Sequence, residues 1–397
     1  MEGIAPRSCP VNENRDDRKS AGLAARYGRP EPGTEVIDTF MFAREILRSP
    51  KVKQAGAGAE EVDVGNPEHV PVFYLDGDAH KRRRTAIKKF FTPKSVQTRL
   101  RPVMESTTDR LLRELQQSGQ ARLDDISIEL AVTVASQIVG LTESNPTQMA
   151  KRIAVLLRTT FVNAKGLARL TKRAKETWYG YQFFRNDVNP SIKKRRNTPQ
   201  DDIISQTLEK GYNERAIMIE CMTYATAGMV TTREFIVMVA WHLFDRPDLK
   251  DQFLAADEVG QIKILQEILR LEPIAGFIYR RVDEDMPETL KGPLPRGKNY
   301  SIDMRAINTD ESVVGACPFM VDPERAMKQN QTGTFMSFGD GSHHCPGWQV
   351  ALNETQVFIN RLFRVPGIRL QRAPDLLWNA PLQSYELRNA VVTCDRA

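Results

Sequence analysis

Cys345 stands in a glycine-rich stretch, Phe335 to Glu354, directly ahead of an apolar segment that reads as a helix from Val350 to Phe363. A thiolate at that position would meet the positive end of the helix and backbone N–H groups from Gly347 onward. Both favour the charged, metal-ligating form over the thiol. Gly339, Gly341 and Gly347 let the backbone turn tightly and lie close to a flat, bulky partner, and Phe338 would shield the sulfur. Taken alone, the stretch could also be a plain turn holding a small buried hydrophobe. A zinc site made of His343, His344 and Cys345 fails on geometry. Adjacent residues cannot easily wrap one tetrahedral ion, and no CxxC or HxxxH partner occurs elsewhere.

The pattern F-G-x-G-x-H-x-C-x-G, Phe338 to Gly347, is long and mixed in residue type. It resembles the haem-thiolate loop of the cytochrome P450 family, and the resemblance runs from about Val36 to Arg388 with its elements in order. It implies haem b (iron protoporphyrin IX) with Cys345 as the metal ligand and O2 or water on the opposite side. It also implies that His80, Arg84, Arg280 and His343 bind the haem carboxylates, while Phe338, Gly339 and Gly347 shape the bed of the ring. His80 and Arg84 fall one turn apart on a helix that reads from Asp76 to Pro93, so two donors share a face. A thiolate pushes electron density onto iron and favours O–O cleavage. The activity implied is monooxygenation (hydroxylation) of a small organic molecule, in secondary metabolism or catabolism.

Ala227-Gly228-Met229-Val230-Thr231-Thr232 resembles the family's oxygen-side motif A-G-x-[DE]-T-T, with Gly228 letting the ligand approach and Thr231, beside Thr232, holding dioxygen. The same residues could equally serve helix packing. Val230 departs from the pattern, so the acid that would relay protons is missing. Three substitutes are open: water ordered by Thr231 and Thr232, a polar group of the substrate, or Glu234 about one turn away. One-electron oxidative coupling is the alternative chemistry, and a non-catalytic haem-binding sensor or carrier is a third reading. Glu267-x-x-Arg270 shares one helical face and alone reads as a surface bridge. By resemblance it is buried, is joined by Arg325, and holds the thiolate loop in register. Resemblance also places Met222, Ala225, Met229, Ile274, Phe277 and Leu382 around the substrate.

The elements that position these residues are mainly helical. Apolar residues recur at three and four spacing over Ser95 to Ser118 and Asp124 to Leu141, and Asn213 to Asp245 is the longest apolar helical run. Short strands follow Pro273, in PLPRGKNYSID and MRAINTD, and in Arg364 to Ala397. Ala55 to Val70 reads as a mobile loop and SIKKRRNTPQDD as an exposed loop ending in a capping Asp. The aromatic helical region from Lys151 to Asn186, with Phe161, Trp178 and Tyr181, is by resemblance the movable lid. The expected fold is mainly α with a small β lobe, the triangular helical prism of the family around its haem. Residues 1–33 form an N-terminal extension and 34–397 one catalytic domain.

A chain of 397 residues with ordinary charged and apolar fractions is a folded protein, and no window supplies the apolar run a membrane helix needs. The N-terminus lacks a signal-peptide core, so a cytoplasmic place without membrane contact is expected. Five scattered cysteines argue against disulfides. The basic runs His80 to Lys94 and Lys151 to Arg196 carry no nucleic-acid motif. The first, through Lys81, Arg82, Arg83, Lys88 and Lys89, would steer an acidic electron donor. No flavin or nucleotide motif is present, so electrons would come from NAD(P)H through a reductase and a ferredoxin or flavodoxin.

Overall fold

The computed structural model describes residues 15–56, 66, 69–160, 167–380 and 382–397. Most of the expected loop Ala55 to Val70, the start of the N-terminal extension, and Phe161 of the expected lid lie outside the described residues. The chain divides into two compact units, each discontinuous in sequence. The first comprises Met1–Glu61, Met238–Trp348 and Pro374–Arg388, and the second Val62–Val237, Gln349–Ala373 and Asn389–Ala397.

The first unit holds the larger sheet. Its strands run in the order Glu35–Ile37, Asn299–Asp303, Phe277–Val282, Val52–Ala55, the first pair parallel and the others antiparallel. The helix Phe40–Arg48 places Phe40, Ala43, Ile46 and Leu47 on one face, and these pack with Val282, Ile302 and Met336 in a single apolar cluster. The helix Glu258–Leu271 is capped by Asp257, whose carboxylate accepts from the Gly260 N–H at 2.8 Å. The described part of the expected extension is tied into this unit: the Ser20 N–H donates to Glu272 at 3.2 Å and the Val321 N–H to Asp17 at 2.9 Å.

Among its described residues, the second unit is helical apart from a sheet of Gln120–Arg122, Val391–Thr393 and Arg369–Arg372. Its core joins Ile128, Val132, Met149, Phe183, Ile192 and Ile217 from successive helices. The expected helix from Asp124 to Leu141 is Leu123–Val139 and ends on Gly140 at φ +99°, a left-handed C-cap. A Cβ there would fall 2.7 Å from the Asp202 carboxyl, so the position demands glycine twice over.

Three expectations are corrected. SIKKRRN lies in the helix Asn189–Asn197, because Arg195 in the basic run is buried and donates to Asp202 at 2.6 Å and Thr142 at 2.8 Å. Asp202 does cap the next helix, accepting from the Ser205 N–H at 2.8 Å. MRAI is one helical turn, not a strand, since Asp303 caps it through the N–H groups of Arg305 and Ala306. Cys317 is disulfide-bonded; a cysteine count limits which bridges can form but does not forbid one that the fold brings into range. Among the described residues no helix is long and apolar enough to cross a membrane.

Candidate functional site

In the first unit, Cys345 closes a loop pinned by its own backbone. Its N–H donates to the Phe338 carbonyl at 2.9 Å, Gly339 N–H to Met336 at 2.8 Å, and His344 N–H to Gly341 at 3.2 Å. Gly341 has φ +69°, and a Cβ there would fall 2.1 Å from the Leu47 carbonyl oxygen, so glycine lets the loop lie directly on the helix Phe40–Arg48. Arg48 Nε donates to the neighbouring Asp340 carboxylate at 3.0 Å. The helix Trp348–Leu362 starts three residues after Cys345, two residues before the expected Val350. Cys345 is unbridged and half-buried, whereas the free Cys221 and Cys394 are buried, and burial pushes both of those thiols up. By accessibility, Cys345 is, among the described unbridged cysteines, the one suited to ligation.

Behind this loop lies a completed charge network. Arg270 donates through Nε and Nη2 to the two Glu267 oxygens at 2.8 and 3.0 Å, and Arg325 Nε donates to the same carboxylate at 3.1 Å. The remaining N–H groups go to carbonyls: Arg270 to Asn308, Pro318 and Met320, Arg325 to Val314, Ala316, Cys317 and Met320. Each guanidinium thus uses all five donors. Asn308 continues the path. Its side-chain oxygen accepts from the Met336 N–H at 3.0 Å and its amide nitrogen donates to Ser337 Oγ at 3.1 Å. Ser337 precedes Phe338, the residue that receives the Cys345 N–H. Sequence reasoning missed Asn308, and no local signal marks it, because its partners come from distant segments.

Arg280 is buried in its strand and donates to Gln54 Oε1, directly opposite in register, at 2.5 Å. His343 lies in the 3-10 turn Gly341–His343 and is half-buried, as are Phe338, Gly339 and Gly347. Of the expected substrate residues in this unit, Phe277 is buried, and Ile274 and Leu382 are half-buried. A hydrogen bond of 2.8 Å from the Gly276 N–H to the Leu382 carbonyl joins the strand start to the turn.

In the second unit, the helix Gly77–Ile87 carries His80, buried, and Arg84, half-buried, one turn apart as expected. Arg83 departs from the expectation of a solvated base. It is buried, 3.4 Å from Glu220 and 4.7 Å over the ring of Tyr212. Among the described residues, neither Glu220 oxygen accepts a hydrogen bond and Arg83 Nε and Nη2 donate none. Burial pushes the Glu220 carboxyl up to about 7 against the opposing pull of Arg83.

The long apolar run is helix Glu214–Tyr224, a π-helical segment Ala225–Val230, and helix Thr231–Asp245. The π turn, a form common at functional sites, was not expected; the small Ala227-Gly228 pair ahead of two threonines is its only local signal. Thr231 Oγ1 donates to the Ala227 carbonyl at 2.7 Å and Thr232 Oγ1 to that of Gly228 at 2.6 Å. A Cβ on Gly228 would meet nothing within 4 Å, so open space adjoins it. The buried Glu234 carboxylate accepts from Arg233 Nε at 3.0 Å. Ala225, Met229 and Val230 are packed into the core cluster, with Met222 at its margin. These positions therefore act in packing in the structure.

Taken separately, both units fit an iron porphyrin in their donor chemistry. The first offers an accessible soft sulfur, open space beside Gly339, and Arg280 with His343 in the same unit. The second offers His80 and Arg84 on one helix and the space beside Gly228.

Comparison with known proteins points the same way. The family model described as Cytochrome P450 matches residues 262–365, which span Glu267, Arg270, Arg325 and Cys345. Mycinamicin IV hydroxylase/epoxidase of Micromonospora griseorubida is 25% identical, over 93% of this chain and 94% of that one. Cytochrome P450 107B1 of Saccharopolyspora erythraea is 27% identical, over 90% and 85%. Among solved structures, CalO2 aligns with a TM-score of 0.76 at 21% identity, covering 94% of this chain and 95% of that one. P450BioI, solved with an acyl-ligated Acyl Carrier Protein, aligns with 0.73 at 22%, covering 91% and 92%. With a pinned cysteine loop, a buried Glu-Arg-Arg network and relatives matched over nearly their full length, the chain is similar to the cytochrome P450 family and its monooxygenases, and it has that family's mainly helical fold.

Proposed function

We propose that this chain is an O2-dependent haem-thiolate monooxygenase that hydroxylates a small organic molecule in secondary metabolism or catabolism, acting in the cytoplasm. The observation that carries the reading is the state of Cys345: unbridged, accessible, and held by a backbone hydrogen bond at the end of a loop braced through Asn308 and Arg270. A bound haem b supplies the activation of O2. Cys345 would supply the sulfur, and by resemblance His80, Arg84, Arg280 and His343 would hold the haem carboxylates. Phe338, Gly339 and Gly347 would border the sulfur, and open space adjoins Gly228.

Thr231 and Thr232 give their protons to helix carbonyls, so their oxygen lone pairs remain to accept from a water molecule. Ordered water is therefore the favoured substitute for the missing acid at Val230, since Glu234 already serves Arg233. Electrons arrive from NAD(P)H through a reductase and a ferredoxin or flavodoxin, steered by exposed bases such as Lys81, Arg82, Lys88 and Lys89.

Porphyrin-loaded protein, reduced under carbon monoxide, is expected to give the thiolate-type absorption band and to lose it in Cys345→Ala. An equal band in the variant removes the basis of the reading. In turnover under labelled dioxygen, label is expected in the product; its absence would favour oxidative coupling. Val230→Asp should raise product per electron consumed if proton supply is limiting.

A further inference from the structure

Between Thr171 and Asn197 the chain has eight Lys or Arg and only two acids. Neither acid offsets the surface. Asp187 is fully buried and held by Arg152 through two hydrogen bonds of 2.7 and 2.6 Å, and Glu176 is half-buried in a bridge to Lys172 at 3.3 Å. Arg173, Lys175, Arg185, Lys193 and Lys194 are exposed. Among them stand Trp178 and Tyr181, 58% and 50% exposed, their ring centroids 6.4 Å apart and tilted by 37°. Lys175, Trp178, Tyr181 and Arg185 follow one another at intervals of three, three and four, so they line one side of the helix Leu167–Phe183 and its π-helical extension Phe184–Val188 over about 15 Å. Gly180 and Phe183, on the inward side, are buried.

A merely solvated helix face has no use for two large aromatic rings in water. Tyr, Trp and Arg are the residues that anchor protein interfaces, and a surrounding charge of one sign selects a partner of the other. The two rings lean on each other, which suits a packed protein contact better than the open stacking face a nucleobase needs. Two amphipathic side chains are also far short of the apolar face that a membrane-surface helix inserts. We propose that this side of the helix Leu167–Phe183 is a docking surface for an acidic protein that carries a tethered substrate, with Trp178 and Tyr181 as anchors and Lys175 and Arg185 as the flanking charges. The delivery of substrate rests on the oxygenase reading above; the docking surface itself does not.

The test is binding of a fluorescently labelled acyl carrier protein, an acidic probe, to the full-length holoprotein across a salt series. The expected result is saturable binding that weakens with salt, falls about ten-fold or more in Trp178→Ala/Tyr181→Ala, and is lost in Lys175→Glu/Arg185→Glu. Lys88→Glu/Lys89→Glu, in the 3-10 turn Lys88–Phe91 among the bases assigned to the electron donor, should leave it unchanged. All four substituted residues of the docking face are exposed, and the carbon monoxide band of each variant serves as the check that it folds. Equal binding by wild type and both docking-face variants overturns the proposal. So does binding at this face of a single-stranded oligonucleotide or anionic phospholipid vesicles in preference to the carrier. If the wild type lacks the thiolate band yet carrier binding responds to these variants as expected, the oxygenase reading fails and the docking surface stands.

Discussion

Two buried charge clusters, one in each unit, differ in how completely they are bonded. Around Glu267, two guanidiniums satisfy all ten of their N–H groups within hydrogen-bond distance. Around Glu220, a carboxylate and a guanidinium lie 3.4 Å apart with both oxygens and two of the three guanidinium nitrogens unbonded. Both clusters are out of water, so both bear the cost of desolvation, but only the first recovers it through directed bonds. The first therefore fixes a backbone, six carbonyls between Asn308 and Met320 being held by two side chains. The second fixes little and leaves Glu220 close to exchanging its proton near neutral pH.

The largest effect should come from opening the completed network. Arg270→Ala leaves Glu267 with part of its partners and several buried carbonyls unpaired, and a cost of about 3–5 kcal/mol in denaturant unfolding is expected. Because the path from Arg270 through Asn308 ends at the cysteine loop, the thiolate band under carbon monoxide should also decay faster in the variant. A fully stable variant with an unchanged band would mean that the network is not what holds the loop.

The incomplete cluster should respond less. Arg83→Met strands Glu220, which can take up a proton instead of remaining charged, so a loss of about 1–3 kcal/mol is expected. Replacing both, as Arg83→Met/Glu220→Leu, should return stability to the wild-type level or above it. A double variant as damaged as the sum of its singles would show that the pair is as well bonded as the Glu267 network.

A smaller effect should appear in the pH dependence. The folded-state value of Glu220 is raised by burial from 4.5 to about 7, so the folded protein holds a proton that the unfolded chain releases. Its share of stability is complete below about pH 4.5 and is lost as pH rises through about 7, at no more than about 1.4 kcal/mol per pH unit. Glu354, raised by burial to about 8, acts in the same sense up to higher pH. In Glu220→Gln, the fall in melting temperature between pH 5 and 7 should therefore shrink and that between 7 and 8 persist. Identical profiles would remove Glu220 from the account.

The same contrast decides what could be read beforehand. Glu267, Arg270 and the cysteine loop were legible because their partners are set largely by local spacing: three residues on a helix, seven from Phe338 to Cys345 around a turn. Arg83 and Arg195 were not. Each sits in a run of like charges that reads as solvated, and only tertiary packing buries one base while its neighbours stay in water. The π turn at Ala225–Val230 was hidden for a related reason, since apolar periodicity cannot separate 3.6 from a locally wider turn over six residues. MRAI was misread because its helix is a single turn whose start is fixed by the Asp303 cap rather than by any pattern of its own.

The smallest effect should come from a pair that resembles the Glu267 network in everything but burial. Lys263, on the same helix one turn earlier, lies 3.0 Å from Glu324, the residue before Arg325, with the two side chains 36% and 43% exposed. Water screens the attraction and both side chains lose rotamer freedom to hold it, so Lys263→Ala should cost under about 1 kcal/mol and less still at high salt. Its distance is within the range found inside the buried network, so distance alone would predict comparable losses for Lys263 and Arg270. A loss for Lys263→Ala approaching that for Arg270→Ala would therefore mean that burial and completed hydrogen bonding are not what set the two apart.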